Sequence, residues 1–96
     1  MPAAYVIAET SVKDPKLLEQ YRKLALPSVQ KFGGQYLVAT DTLEVLTGDW
    51  HPQRLGVVRF ETIQTARNWW DSEEYREARA IRAQMGESKI IIVEGM

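Results

Sequence analysis

Along the 96-residue chain the spacing of hydrophobic and polar positions changes several times, and each change predicts an element. Residues 4–12, AYVIAETSV, are rich in strand formers and apolar on both alternating faces. Asp14-Pro15 reads as an N-cap followed by proline at the first helical position. Leu17, Leu18, Tyr21, Leu24, Ala25, Val29 and Phe32 then recur at helical spacing. Pro27 is expected to kink or divide this helix, because it lacks an amide hydrogen and crowds the preceding turn. Gly33-Gly34 ends it. Two short strands are predicted next, 35–39 and 43–47, joined through Thr40-Asp41-Thr42. A turn over 48–53 leads to a stronger strand, 54–61. Thr62 caps a short helix with Ile63, Ala66, Trp69 and Trp70 on one side. Asp71-Ser72-Glu73-Glu74 starts another, with a capping oxygen and two acids near its positive end. Tyr75, Ala78, Ile81 and Met85 form its apolar stripe, Gly86 ends it, and KIIIVE, 89–94, makes a final strand.

The resulting order is β-α-β-β-α-β with an added short strand and a broken second helix, an α+β ferredoxin-like pattern with an antiparallel sheet. No linker, repeat or low-complexity tract interrupts it, so residues 1–96 are expected to form one domain around one core. The strands are apolar on both sides. Ile90 and Ile92 oppose Ile91 and Val93, Leu55 and Val57 oppose Val58 and Phe60, and Val6 and Ala8 oppose Tyr5 and Ile7. Right-handed crossovers put the helices on one sheet face. The other face is expected to be covered by a second copy, giving a homodimer.

Composition narrows the chemistry. A formal charge of −1 offers no basic face for nucleic acid. The absence of cysteine removes disulfides, thiolate metal sites and cysteine nucleophiles. No acidic or histidine cluster has metal-ligand spacing, and a single histidine makes a first-row metal site a poor fit. No cofactor is expected. The N-terminus lacks the pattern of a secretory signal and no long apolar span appears, so a cytoplasmic protein away from membranes is expected.

The chemistry that remains lies in single side chains. His51 titrates near neutrality and has Asp49 two residues away, but Gly-Asp-Trp-His-Pro has the composition of a connection, and the turn reading is preferred. Asp49 and Arg54 suit an ion pair holding Trp50 over the sheet edge; alternatively, Arg54 reads a carboxylate ligand through its planar fork. Tyr5 and Glu9 share a strand face, which makes Glu9 the best carboxylate candidate for a pocket or, alternatively, a structural residue paired with an arginine or lysine, from this chain or a second copy. Of Trp69 and Trp70, one is expected in the core and the other as a lid. Arg76, Arg79 and Arg82, with Glu73 and Glu77 at helical ion-pair distances, read as a solvated face. Gly33-Gly34 lacks the lysine and spacing of a phosphate loop.

The segments AYVIAE, DPKLLEQYRK, FGGQYLV, EVLTGDWHPQR, NWWDSEEYREARAIR and IIIVEG resemble, in this order, the domain-of-unknown-function family 1330. The markers are Phe32-Gly33-Gly34, Gly48-Asp49-Trp50 with Pro52 and Arg54, and Trp69 through Tyr75. The resemblance implies the dimeric α/β-barrel fold, in which two ferredoxin-like sheets pack together. That superfamily spans cofactor-free oxygenases, lactone isomerases and haem-handling enzymes, so it implies no one reaction. Arg59 stands where the family often has an acid, and Glu61 where it often has proline. Trp70 and Glu73 replace a tyrosine and a proline, and His51 matches no fixed type.

Two functions are therefore expected. The first is a homodimer binding a small organic ligand between helices and sheet, with cofactor-free acid/base or isomerase-type chemistry. Glu9 would be the acid/base, Tyr5 and Tyr36 hydrogen-bond donors, Arg54 an anion anchor, and Asp49 and Trp50 further ligand contacts. The second is a non-catalytic dimeric binding or regulatory module, in which the same polar residues are structural.

Overall fold

The computed structural model describes residues 2–96. Strand β1 (Ala4–Thr10) leads to helix α1 (Pro15–Lys31), then β2 (Gln35–Thr40) and β3 (Arg54–Phe60). Helices α2 (Ile63–Trp70) and α3 (Glu73–Met85) follow, and β4 (Ser88–Glu94) closes the chain. The sheet has the order β2-β3-β1-β4, and its pairings are all antiparallel. This is the expected ferredoxin-like α+β arrangement. The sheet of the chain is open, not a closed barrel.

Local chemistry sets the helix boundaries. Asp14 Oδ1 accepts the Lys16 amide, Thr62 Oγ1 the Thr65 amide, and Ser72 Oγ the Tyr75 amide, each satisfying an otherwise free donor of a first turn. Pro27 does not divide α1, which runs through it as one helix. Pro27 and Lys23 both lie on the exposed side. The carbonyl deprived of an amide there meets water instead of a buried void.

The strand expected over 43–47 does not form; residues 41–53 make one long connection. Its Leu46 is 91% exposed. The segment pairs with no strand of the sheet, whose edge on this side is β2.

One face of the sheet carries Val6, Val58 and Phe60 into a core with Ala25, Val29, Ala66, Trp69, Tyr75 and Ala78. Trp69 donates its indole N–H to Ser28 Oγ at 3.1 Å, and that hydroxyl donates to the Ala25 carbonyl at 2.7 Å. The polar atoms of this buried pair are thereby satisfied. Gly34 packs so tightly that an added Cβ would lie 2.6 Å from Val29 and 2.8 Å from Phe60. That contact fixes how α1 turns into β2.

The opposite face carries Tyr5, Ile7 and Glu9 of β1 beside Leu55, Val57 and Arg59 of β3, and Lys89, Ile91 and Val93 of β4. An apolar row, Val38, Val57, Ile7 and Ile91, crosses all four strands. Among the described residues no helix covers it, and Ile91 is 56% exposed.

Candidate functional site

A cavity of about 450 Å³ lies between the sheet and helices α1 and α3. The sequence opens it with small residues. Ala39, Gly56 and Ala8 are register partners in one row across β2, β3 and β1, and they form part of its floor. Helices α1 and α3 pack on each other, while α2 sits against β1, β3 and β4. The space under α1 is left unfilled. Leu18 and Leu26 of α1, Met85 of α3 and Ile90 of β4 make the wall largely apolar.

The polar groups of the cavity gather around two tyrosines. The hydroxyls of Tyr21 on α1 and Tyr75 on α3 are 2.8 Å apart, and their rings meet edge to face. Tyr36 enters from β2, because its partner Val58 also faces the helices. Burial, then the neighbouring Tyr21, pushes the Tyr36 phenol up to about 12. The same two influences push Tyr75 up further. At neutral pH both phenols are therefore protonated donors.

Arg82 completes the cluster. It is 6% exposed. Its Nε donates to Ser88 Oγ at 2.8 Å, Nη2 donates to Thr10 Oγ1, and the guanidinium lies over the Tyr21 ring, 5.4 Å from its centre. Arg54 and Arg22 contribute two further cationic side chains to the lining. Among the described residues, no aspartate, glutamate or histidine lines this cavity. No cluster suited to a metal ion occurs among them either.

The residues singled out from sequence are divided by the structure. Tyr36 and Arg54 line the cavity. Glu9 and Tyr5 do not join them; they share the parity of Ile7 and project from the opposite sheet face. The expectation of one pocket holding Glu9, Tyr5, Tyr36 and Arg54 thus gives way to two separate surfaces. Asp49, Trp50 and His51 are exposed in the 41–53 connection. Trp50 folds back from it, and its indole N–H donates to Glu9 Oε2. The ion pair foreseen between Asp49 and Arg54 is not formed, since Arg54 turns toward the cavity. Trp69 is core, while Trp70 is half-buried beneath Arg79.

Arg82 departs from the solvated face expected for Arg76, Arg79 and Arg82. Arg76 pairs with Glu73 at 3.0 Å on the surface, but Arg82 is buried. The signal was present in the spacing: Tyr75, Ala78, Arg82 and Met85 are the buried positions of α3, and Arg82 follows Tyr75 by two helical turns. Ile81, the apolar residue beside Arg82, is not among those buried positions.

Solved structures with this fold are diverse. A protein of unknown function from Rhodopseudomonas palustris superposes with a TM-score of 0.79 at 15% identity, covering 99% of this chain and 83% of its own. A dimeric ferredoxin-like protein of unknown function from Jannaschia gives 0.70 at 5% identity, with 96% and 98% covered. A candidate antibiotic biosynthesis monooxygenase from Nitrosomonas europaea gives 0.64 at 16% identity, with 98% and 90% covered. At such identities the likeness establishes the fold alone. No curated protein matches the chain closely enough to lend it a function. The family described as Domain of unknown function (DUF1330) matches residues 3–96, and the chain belongs to it.

Proposed function

We propose that the protein is a homodimer in which each protomer holds a small organic ligand in the cavity between α1, α3 and the sheet. The observation that carries this reading is the cavity itself. It combines an apolar wall with a few convergent polar groups, Tyr21, Tyr36, Tyr75 and Arg82, as small-molecule sites do. The uncovered apolar row on the opposite face supports the dimer, as does the description of the Jannaschia relative as dimeric.

Binding is the better-supported half of this function. The phenols of Tyr36 and Tyr75 hold their protons at neutral pH, so the cavity presents donors and cations to its ligand. An acid/base role for Glu9 would require the ligand to sit on the open face, beside Trp50. We assign Glu9, Tyr5 and Trp50 instead to the surface that meets the second copy. The ligand contacts then fall to Tyr36 and Arg54 with Tyr21, Tyr75 and Arg82.

A thermal-shift screen of acidic, neutral and basic ring compounds tests the cavity, with Ala8→Leu as a variant that fills its floor. A ligand at a hundred times its Kd stabilises a folded protein by about 2.7 kcal/mol, a shift of about 10–20 °C in a domain of this size. The expected result is a shift in the wild-type protein that the filled variant loses. Equal shifts in both, or none in either, would reject the cavity as the site.

A further inference from the structure

Arg82 is the only buried charged side chain among the described residues. Removing a guanidinium from water is costly unless a counter-charge or a full set of hydrogen bonds replaces the solvent. Its bonded partners are the hydroxyls of Ser88 and Thr10, and its aromatic neighbour is Tyr21. None of these carries a negative charge. The ion pairs among the described residues join Lys31 to Glu74, Arg76 to Glu73 and Arg79 to Asp71. Arg82 takes part in none.

The imbalance extends to the whole cavity. Arg82, Arg54 and Arg22 line it, with no acidic side chain among the described lining residues. In an apolar-walled space their field is less screened than at an open surface. The hydroxyls of Tyr21 and Tyr75 share one hydrogen bond, in which one donates and the other accepts. The accepting hydroxyl keeps its own hydrogen free to donate elsewhere. A cation and a free hydroxyl donor therefore meet at one end of an apolar chamber.

From this arrangement we propose that the ligand is a small organic anion, an apolar body bearing a carboxylate. The carboxylate sits against Arg82 and accepts from the tyrosine pair, and the body lies over the Ala8–Gly56 floor. The inference rests on the proposed ligand cavity and adds the chemical class of its occupant. The competing reading makes Arg82 a strut that ties Thr10 and Ser88 to α3, with no preference for charge in the ligand.

Naphthoate and its uncharged isostere naphthamide separate the two readings. Each is titrated calorimetrically at neutral pH into the wild-type protein, Arg82→Met and Arg82→Lys. The anion is expected to bind at least about tenfold more tightly than the amide, equivalent to 1.4 kcal/mol. Arg82→Met should erase that preference while leaving amide affinity within about threefold, and Arg82→Lys should retain part of it. If Arg82→Met does not fold, the wild-type comparison together with Arg54→Gln still decides, the latter weakening only the anion. Equal or tighter binding of the amide to the wild-type protein overturns the anionic assignment and leaves the cavity standing. Failure of both compounds to bind rejects the cavity reading and this one with it.

Discussion

Substituting aspartate on the two faces of the sheet should separate assembly from folding. Ile91 lies in the apolar row of the open face, 56% exposed in a single protomer. Full burial of an isoleucine side chain contributes about 1.5–3 kcal/mol, so covering the exposed part contributes about 1–1.5 kcal/mol. A two-fold interface counts the residue twice. Ile91→Ala should therefore weaken the dimer by about 2–3 kcal/mol, roughly 30- to 150-fold in Kd. Ile91→Asp adds the cost of covering a carboxylate, several kcal/mol in each protomer. In the separated protomer the same carboxylate faces water and costs little, so the product should be a folded monomer. Val6 faces the helices and is buried against the core, and Val6→Asp should unfold the protomer itself. Sedimentation velocity across a micromolar concentration series reads assembly, and far-UV circular dichroism reads folding. A wild-type monomer at these concentrations, or an Ile91→Asp dimer of undiminished affinity, would refute the assignment of this face to a second copy.

Ser28→Ala leaves the buried Trp69 N–H without its acceptor and should cost about 1–3 kcal/mol in urea denaturation. Adding Trp69→Phe should then cost less than it does alone, and strict additivity would argue against the bond. The raised phenols make a pH prediction. Tyr36 and Tyr75 keep their protons in the folded state to a higher pH than in the unfolded chain. The stability they supply is fully present below about 10, the ordinary tyrosine value, and is lost as the pH rises through the folded-state values, about 12 for Tyr36. Urea midpoints should therefore fall across that alkaline range, less steeply in Tyr75→Phe; a flat wild-type profile would contradict the raised values of the two phenols. Finally, Glu9→Gln and His51→Ala should leave cavity binding unchanged in calorimetry. A loss of binding in either variant, with the dimer intact, would return the site to the open face or to the connection.

The sequence alone determined those features that depend on near neighbours along the chain. The caps Asp14, Thr62 and Ser72 act on amides two or three residues ahead, so each helix start could be read directly. Strand alternation assigned Val6 and Tyr5 to opposite faces, and the order of elements implied the ferredoxin-like sheet. What alternation cannot say is which face receives the helices and which encloses a cavity. Glu9 was assigned to a pocket because its side of β1 needed cover, yet the hollow lies on the other side, over Ala8 and Gly56. That hollow exists because small residues distant in sequence meet in one row of the sheet, a matter of strand register. The segment 43–47 has the composition of a strand but stays unpaired, since strand formation depends on context beyond the segment itself. Arg82 was misplaced for the same reason: its charge argued for water, and only the packing of α3 over the sheet sets it beside Thr10, Ser88 and Tyr21. Local propensity acts over a few residues, whereas a site is built from contacts between strands and helices far apart in the chain, and those are decided by the tertiary fold.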